Sequence, residues 1–407
     1  MNPIAAVDRI EILSRTYAAV RLHFAHWQGV PDLDLEAAYR DALERALEAE
    51  GRYRFALVMM EFLAGLRNGH TWYTDPWVAA NRGSQLGLRM VPDDGGWMVR
   101  HSRLTAVPVG IKVARIGGEE TASFFDTRRH LVPASGDRQA RLRFHWLRHA
   151  LPATISLVLG NGAQVMVEGD AAAGGTPEFD ARRLHRGDVG YLRIPSFGDA
   201  RFEELAVEAL TRFSDSPGLI VDVRGNEGGA TPERLISRLM DRPYRSWAES
   251  TPMHLGLFSA LSEMAADPGS DLDPGQRAAL EPYRLLSGAR VEWSPIENPP
   301  PPEGFAGRLV LLTDSWTGSA AEDFVLPFKD NGRATVVGEL SMGTTGQPYP
   351  LSFRHGMTSY IGAKRACFPD GSPFEGIGIQ PDLAVTPSAD DLQAGRDPVL
   401  DVALGLM

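Results

Sequence analysis

The sequence of 407 residues predicts an α/β protein, and three patterns along the chain lead to that fold class. The first eighty residues carry apolar positions at helical spacing. From about residue 189, short and fully apolar segments alternate with helical ones, as strands covered on both faces do. Between these regions lie short strands broken by glycine turns. We therefore predict an N-terminal helical region (1–80), a small mixed insert (81–182) and an α/β core (183–407).

The N-terminal region is predicted to hold two well-defined helices followed by a loop. Asp32 and Asp34 are candidate N-caps for the first, and Gly51 stands where a helix C-terminal glycine belongs. A second helix is expected over residues 53–66. The Asn-Gly pair that follows would end it and leave His70 on the exit loop.

Strands and helices of the other two regions follow from their apolar runs and glycine turns. In the insert we expect strands over 111–116 and 155–159, with a helix over 137–148. In the core we expect four strands and at least two helices. The strands are 189–194, 219–223, 309–313 and 334–337, and the helices are 202–213 and 232–240.

Composition narrows the classes of function. The net charge is 41 − 52 = −11, which argues against a nucleic-acid partner, because such proteins need a basic face. The single cysteine, Cys367, allows no intramolecular disulfide and is expected to be an inert thiol. The acidic residues near the N-terminus do not resemble a signal peptide, and no apolar run of about eighteen residues is present. A cytoplasmic location is the expectation.

The segment 317–322, Thr-Gly-Ser-Ala-Ala-Glu, is the first that could carry chemistry. A buried strand is expected to end before it and a helix to begin at its end. Ser319 would then lie at a helix N-terminus, where free N–H groups favour an activated hydroxyl and a developing oxyanion. Taken alone, the segment fits a helix cap better, with Glu322 closing a capping box.

Three further segments could supply the partners of such a serine. The apolar strand 218–223 runs into a glycine-rich turn, where Gly228 and Gly229 could donate backbone N–H groups to an oxyanion or merely form a tight connection. His70 follows a helix-breaking glycine on a loop that could project into a cleft. Glu375 lies in a later glycine-rich turn, where an ordinary solvated glutamate is the simpler interpretation.

Together and in this order, the segments resemble the C-terminal processing (tail-specific) protease family, in its tricorn-like branch. The similarity covers about residues 10–407 and is weakest in the insert. It rests on the segments 68–71 (Asn-Gly-His-Thr), 190–197 (Gly-Tyr-Leu-Arg-Ile-Pro-Ser-Phe), 222–229 (Asp-Val-Arg-Gly-Asn-Glu-Gly-Gly), 317–322 and 375–382 (Glu-Gly-Ile-Gly-Ile-Gln-Pro-Asp). The resemblance implies a Clp-protease/crotonase-like core, a PDZ-like insert and no cofactor or metal.

The resemblance also implies how the serine is activated. One form of the family uses a Ser-Lys dyad, but Thr344 holds the lysine position here, and only Lys364 could substitute. The other form uses a histidine oriented by a glutamate, which implies His70 as the base and Glu375 as its partner. The relay serine of that form is replaced by Gly69. Glu375 is then expected to reach His70 directly, through water or through another hydroxyl such as Thr71.

The expected function is peptide-bond hydrolysis through an acyl-enzyme on Ser319. The oxyanion would lie between the backbone N–H of Ala320 and that of Gly228 or Gly229. The expected partner is a peptide or protein substrate, and assembly into a homo-oligomer is open. Two alternatives remain: a non-catalytic module that binds a hydrophobic ligand or a peptide on the same core, and an esterase for small acyl groups.

Overall fold

A computed structural model of the chain describes residues 4–82, 86–94, 96–168, 178–184, 188–252, 278, 290–299 and 304–407. The N-terminal region is helical, as predicted. Its elements are α1 (Ala6–His23), α2 (Leu35–Glu48), α3 (Arg52–Ala64), β1 (Trp72–Thr74) and α4 (Pro76–Arg82).

The boundary between α2 and α3 differs in part from the prediction. The Asp34 carboxylate caps α2 by accepting a hydrogen bond from the N–H of Ala37 at 2.9 Å. Gly51, predicted as the end of that helix, instead precedes α3 as its N-cap with a φ of 87°. Because this φ lies in the left-handed region, glycine suits the turn between the two helices. His70 lies on the loop between α3 and β1, as predicted.

The insert folds around an antiparallel sheet with a core of its own. Its strands are β2 (Leu88–Asp93), β3 (Gly96–Ser102), β4 (Lys112–Ile116), β5 (Glu119–Glu120), β6 (Thr154–Leu159) and β7 (Gln164–Glu168), and its helices are α5 (Thr121–Asp126) and α6 (Asp137–Leu142). The rings of Phe125 and Phe144 pack on Trp97, with centroids 4.9 and 5.2 Å away. The helix predicted over 137–148 is divided into α6 and the 3-10 helix Phe144–Ala150.

The core is a six-stranded sheet whose strands are parallel except at one edge. In spatial order they are β20 (Leu383–Ala384), β16 (Thr335–Gly338), β15 (Arg308–Thr313), β10 (Gly218–Asp222), β9 (Val189–Arg193) and β8 (Asp180–Leu184). Only β8 runs antiparallel to its neighbour. It begins before residue 183, so the core sheet includes the end of the range assigned to the insert.

Helices cover both faces of this sheet. One face carries α7 (Ala200–Arg212), α8 (Glu233–Leu239) and α9 (Ala320–Asp330), and the other carries α11 (Pro398–Gly405), which follows the short α10 (Ala389–Gln393). All five residues of β10 are buried. Burial on both faces is why the four central core strands are mostly apolar, and the predicted α/β core is confirmed.

Small sheets lie beside the core sheet, and one of them joins the N-terminal region to the core. Their strands are β11 (Tyr244–Arg245), β12 (Ala248–Pro252), β13 (Arg290–Trp293), β14 (Glu297–Asn298), β17 (Pro348–Ser352), β18 (Thr358–Gly362) and β19 (Arg365–Cys367). The pairing of β1 with β18 is the one that matters for the site, because β1 directly follows the His70 loop. No helix among the described residues combines the length and apolar character needed to cross a membrane.

Candidate active site

Ser319 lies in the turn between β15 and α9, at the N-terminus of that helix. Its backbone has φ 54° and ψ −124°, a conformation that costs a non-glycine residue about 1–3 kcal/mol. The turn is held from both sides. The N–H of Ser319 is 2.9 Å from the Thr344 carbonyl oxygen, and the N–H of Met342 donates to the Thr317 carbonyl at 2.8 Å.

The buried carboxylate of Glu322 ties this turn to the loop that carries Thr344. It accepts hydrogen bonds from the N–H groups of Ser319, Gly343 and Thr344 at 3.0, 2.7 and 3.1 Å, and from the Ser341 hydroxyl at 2.5 Å. Burial raises the pKa of Glu322 to about 8, although these hydrogen bonds act in the opposite direction. The glutamate suggested as a capping residue therefore joins two loops, in addition to serving the helix.

The His70 imidazole is buried and faces Ser319. Its Nε2 lies 3.2 Å from Ser319 Oγ, so the two residues, 249 positions apart, are within hydrogen-bonding distance. The Asn68 side chain holds the loop by accepting a hydrogen bond from the N–H of His70 at 3.0 Å. Burial lowers the pKa of His70 to about 3, with Arg143 as the next contribution. The imidazole is therefore neutral at pH 7.

Thr344 connects His70 to Glu375, a contact that the sequence did not predict. The Thr344 hydroxyl is 2.8 Å from His70 Nδ1 and donates to Glu375 Oε1 at 2.8 Å. Because that hydroxyl has a single hydrogen, it must accept the Nδ1–H of His70. Nε2 is then unprotonated and can accept the hydrogen of the Ser319 hydroxyl.

The absence of a side chain at Gly69 explains why the hydroxyl that contacts His70 comes from Thr344 and not from the residue before the histidine. A Cβ atom at this position would lie 2.7 Å from Thr344 Oγ1 and 2.8 Å from Gln139 Oε1. A serine before the histidine would therefore collide with the threonine that reaches His70 from the opposite loop. The two positions are sterically linked, and the hydroxyl comes from residue 344 because residue 69 has no side chain.

The alternatives considered for this contact do not match the structure. Thr71, suggested as a substitute relay, donates its hydroxyl to Asn68 and accepts the N–H of Gly362. Lys364, the only lysine considered for a dyad, forms an ion pair with Glu249. Glu375 reaches His70 through a hydroxyl, not directly.

Glu375 is buried among hydrogen-bond donors from three regions of the chain. Its Oε1 accepts from Thr344, from the Ser135 hydroxyl at 2.5 Å and from the Asn68 amide at 3.3 Å. Burial raises the pKa of Glu375 to about 7, and the hydrogen bonds from Ser135 and Thr344 and the charge of Arg143 oppose this rise. Ser135 belongs to the insert and stands in no motif, so sequence reasoning missed it.

The glycine loop lies directly against the serine turn. A Cβ at Gly228 would be 2.5 Å from Ser319 Cβ and 2.8 Å from the nitrogen of Ala320. The N–H of Gly228 donates to the Asn226 side chain at 2.9 Å, so it is occupied. Within the described residues, no acceptor is assigned to the N–H of Gly229 or Ala320. Of the predicted oxyanion donors, these two are unoccupied.

A strained serine at a helix start, a histidine facing it, a carboxylate behind the histidine and unoccupied N–H groups form the arrangement of a serine hydrolase site. Comparisons with known proteins define the class further. Peptidase family S41 matches residues 188–244 and 264–385. These two ranges include the glycine loop, Ser319, Thr344 and Glu375, but not His70.

Individual relatives agree with this match. The chain is 25% identical over 232 residues to the tricorn protease of Thermoplasma acidophilum, which is 56% of this chain and 18% of that protein. It is 24% identical over 212 residues to the carboxy-terminal processing protease CtpB of Bacillus subtilis, covering 50% of this chain and 35% of that protein. The chain thus spans well under half the length of these curated relatives.

Solved structures share the fold over nearly the whole chain. Mature CPAF, solved in complex with lactacystin, has a TM-score of 0.72 at 18% identity and covers 98% of both chains. The photosystem II D1 C-terminal processing protease has a TM-score of 0.55 at 17% identity, covering 94% of this chain and 93% of that chain. These matches support the resemblance to C-terminal processing proteases that the sequence motifs predicted.

Proposed function

We propose that this chain is a serine peptidase that cleaves peptide bonds through an acyl-enzyme on Ser319. The observation that carries the proposal is the continuous series of contacts from Ser319 Oγ through His70 and Thr344 to Glu375. Each member has a separate task in acyl transfer. Ser319 is the nucleophile, His70 the base, and Thr344 and Glu375 fix the tautomer and orientation of the imidazole.

The proposed reaction begins when Ser319 Oγ attacks the carbonyl carbon of the peptide bond and its proton passes to His70 Nε2. The tetrahedral intermediate collapses, the C–N bond breaks, and His70 delivers the proton to the leaving amine. Water then attacks the resulting ester while His70 accepts its proton, the bond from the acyl carbon to Ser319 Oγ breaks, and His70 returns the proton to Ser319 Oγ as the new carboxylate leaves. Negative charge on Glu375, transmitted through the Thr344 hydroxyl, stabilises the imidazolium formed in both halves.

The N–H groups of Gly229 and Ala320 are the proposed donors to the oxyanion. They meet the requirement that such donors be fixed in place before the reaction, because one belongs to the start of α9 and the other to the glycine loop packed on it. Removing one such donor typically costs about 10²–10³ in rate. Gly228 contributes space instead, since a side chain there would fill the region in front of the Ala320 nitrogen.

We further propose that the insert is PDZ-like and that substrate adds to an exposed sheet edge as an extra strand. The antiparallel sheet of five main strands with short helices, described above for residues 86–168, supports this reading. Strand addition recognises a peptide mainly through its main chain.

A fluorophosphonate probe tests the nucleophile directly. The wild-type protein is expected to be labelled, and Ser319→Ala is expected to lose all labelling and to reduce peptidase activity by at least about 10³-fold. Ser214→Ala is the matched control, because that serine is exposed and only donates to the Thr211 carbonyl. A wild-type protein that resists labelling would instead support the non-catalytic binding module.

The esterase alternative needs a second measurement. A hydrolase restricted to small acyl groups would be labelled and would cleave p-nitrophenyl acetate, yet would leave a mixed peptide library intact. The proposed peptidase is expected to cleave both. Mass spectrometry of the library products separates the two outcomes.

A further inference from the structure

Asp323, the fourth residue of α9, accepts hydrogen bonds from three segments of the chain. The Thr231 hydroxyl donates to its Oδ2 at 2.7 Å. The Thr345 hydroxyl and the indole N–H of Trp247 donate to its Oδ1 at 2.7 and 2.8 Å. The side chain is partly buried, and the mechanism above gives it no task. A carboxylate with charge-assisted hydrogen bonds to distant segments fixes those segments relative to its own helix.

One of the three donors belongs to the glycine loop. Thr231 follows Gly229 by two positions, and Ala320 precedes Asp323 by three positions, which is about one turn of α9. The N–H groups of Gly229 and Ala320 are the proposed donors to the oxyanion. The hydrogen bond from Thr231 to Asp323 therefore joins the two elements that carry these donors.

The glycines of this loop supply little restraint of their own. Gly228 and Gly229 have φ angles of 101° and 141°, a region in which glycine moves with few steric limits. Hydrogen bonds join the loop to the serine turn and α9 on both sides of these glycines. Before them, the N–H of Gly318 donates to the Asn226 carbonyl at 2.9 Å. After them, the contact is that of the Thr231 hydroxyl with α9.

Phe197 holds the same loop to another part of the core. Its N–H donates to the Gly228 carbonyl at 3.1 Å, and its carbonyl accepts the N–H of Ala230 at 2.9 Å. Phe197 lies between β9 and α7, so these contacts fix the loop to that segment. The distance of Gly229 from α9 depends in addition on the Thr231 contact.

The other two donors do not belong to the glycine loop. Thr345 directly follows Thr344, which contacts the imidazole. The Trp247 ring packs on Phe374, the residue before Glu375, with ring centroids 4.3 Å apart. Because the hydroxyls of residues 231 and 345 donate to different oxygens of one carboxylate, substitution can separate the oxyanion side of the site from the histidine side.

We propose that Asp323 is a positioning residue for the oxyanion hole, acting through the Thr231 hydroxyl to keep the N–H of Gly229 aligned with that of Ala320. The inference rests on the proposed peptidase function. Oxyanion donors stabilise the transition state more than the bound substrate, because negative charge develops on the oxygen only during attack. Loss of alignment should therefore lower kcat and leave KM nearly unchanged.

Thr231→Val tests this role, and Thr231→Ser is the matched conservative variant. Valine keeps the shape of threonine without the hydroxyl, so kcat for a peptide cleaved in the library described above should fall about 10- to 10²-fold, with KM within about 2-fold. Serine keeps the hydroxyl and should retain kcat within about 3-fold. Thr211→Val should change neither constant, because Thr211 is exposed on α7 and donates to the Glu208 carbonyl of the same helix. A loss confined to KM, or an equal loss in Thr231→Ser, would contradict the role.

A peptide aldehyde that ends at the cleaved bond of the same peptide reports on the oxyanion hole directly. Ser319 Oγ forms a bond to its carbonyl carbon, and the hydroxyl proton passes through His70 to the resulting hemiacetal oxygen, which occupies the oxyanion position. Thr231→Val should raise the inhibition constant of the aldehyde in the same proportion as it lowers kcat/KM. Calorimetric binding of the intact peptide to Ser319→Ala should not change when Thr231→Val is added.

A double-mutant cycle shows whether Thr231 acts through Asp323. Asp323→Ala should raise the inhibition constant at least as much as Thr231→Val does, and combining the two should change it by no more than about 2-fold further. Thr345→Val removes another hydrogen bond to the same carboxylate and should raise the constant less than about 3-fold. Additive effects at positions 231 and 323, or equal effects of the two valine variants, would overturn the proposal. If Asp323→Ala does not fold, the comparison of Thr231→Val with Thr231→Ser and Thr345→Val decides.

The result is separable from the proposed catalysis. Fluorophosphonate labelling and peptide cleavage by the wild-type protein test Ser319, whereas the ratios between variants test Asp323. A wild-type protein that cleaves peptides, with kcat and the inhibition constant unchanged in Thr231→Val, would retain the peptidase and reject the role of Asp323. A wild-type protein that shows neither labelling nor cleavage would reject the peptidase and this inference with it.

Discussion

Two buried glutamates each accept a hydrogen bond from Thr344, and their environments differ. Glu322 accepts three backbone N–H groups and one hydroxyl, all within the core. Glu375 accepts hydrogen bonds from two hydroxyls and a side-chain amide, contributed by the core, the insert and the N-terminal region. Burial raises the pKa of both, to about 8 and about 7.

The difference between their hydrogen-bond donors indicates a structural role for one glutamate and a role in proton chemistry for the other. Backbone donors are fixed by the fold, so a carboxylate that satisfies them acts as a structural link between loops. Hydroxyl donors can rotate and exchange roles as donor and acceptor, so a carboxylate facing them can respond to a change of charge on His70. We infer that Glu322 shapes the site and Glu375 takes part in its proton chemistry.

Glu322→Ala should have the largest effect. It leaves the N–H groups of Gly343 and Thr344 and the Ser341 hydroxyl without their acceptor, at a typical cost of about 1–3 kcal/mol for each unsatisfied group. The free energy of unfolding should fall by at least about 3 kcal/mol, and peptidase activity should be lost because the Ser319 turn is no longer fixed. Chemical denaturation followed by circular dichroism measures the first effect.

Glu204→Ala is the control for this substitution, because Glu204 is exposed on α7. It should change the free energy of unfolding by less than about 0.5 kcal/mol. If Glu322→Ala were equally mild, the contrast between the two buried glutamates would be wrong.

Glu375→Gln should reduce activity with little loss of stability. An amide keeps the shape and one acceptor but cannot stabilise the imidazolium, so kcat/KM should fall by about 10²–10³-fold.

The pKa of Glu375 rises from 4.5 to about 7 on folding. Its contribution to stability is therefore complete below pH 4.5 and is lost as pH rises through about 7. The variant should lose this dependence and be no less stable than wild type at pH 8.

The activity of the wild-type protein should depend on pH in the matching direction. Because burial holds the pKa of His70 near 3, His70 is neutral across the accessible range. The ionisation of Glu375 then sets the acid limb, and kcat/KM should rise with pH through about 7. If the acid limb of kcat/KM persists unchanged in Glu375→Gln, the ionisation of a different group causes it.

The same contrast explains how much of the site the sequence could predict. Ser319, His70, Glu375 and the glycine loop each stand in a contiguous motif, and the structure brings them together. The four central core strands could also be predicted, because burial on both faces leaves them mostly apolar.

Contacts between segments that are distant in the chain could not be predicted from the sequence. Thr344 occupies the position of the lysine in the dyad form of the family, and its contact with His70 depends on the absence of a side chain at Gly69, 275 positions earlier in the chain. Ser135 is separated from Glu375 by 240 positions. A single sequence carries no signal for such pairs until the fold juxtaposes them.

Thr344 tests whether the hydroxyl itself matters. Thr344→Val keeps the shape but cannot pass a hydrogen bond from His70 to Glu375, and kcat/KM should fall by about 10–10²-fold. Thr344→Ser keeps the hydroxyl and should stay within a few-fold of wild type. Steady-state kinetics on one peptide substrate compares the two. Equal losses would mean that the methyl packing of Thr344, and not its hydroxyl, supports the site.

Ser135→Ala should have the smallest effect and is specific for the role of the insert. The Ser135 hydroxyl donates to Glu375 Oε1 and accepts the N–H of Gly69 at 2.9 Å. Its hydrogen bond favours the ionised carboxylate, so its removal should raise the pKa of Glu375 further. The acid limb of kcat/KM should then move to higher pH, while the rate at high pH falls only about 2- to 5-fold. A merely structural serine would lower the rate at every pH and leave the limb in place, so the pH profile decides whether the insert tunes the proton chemistry of the core.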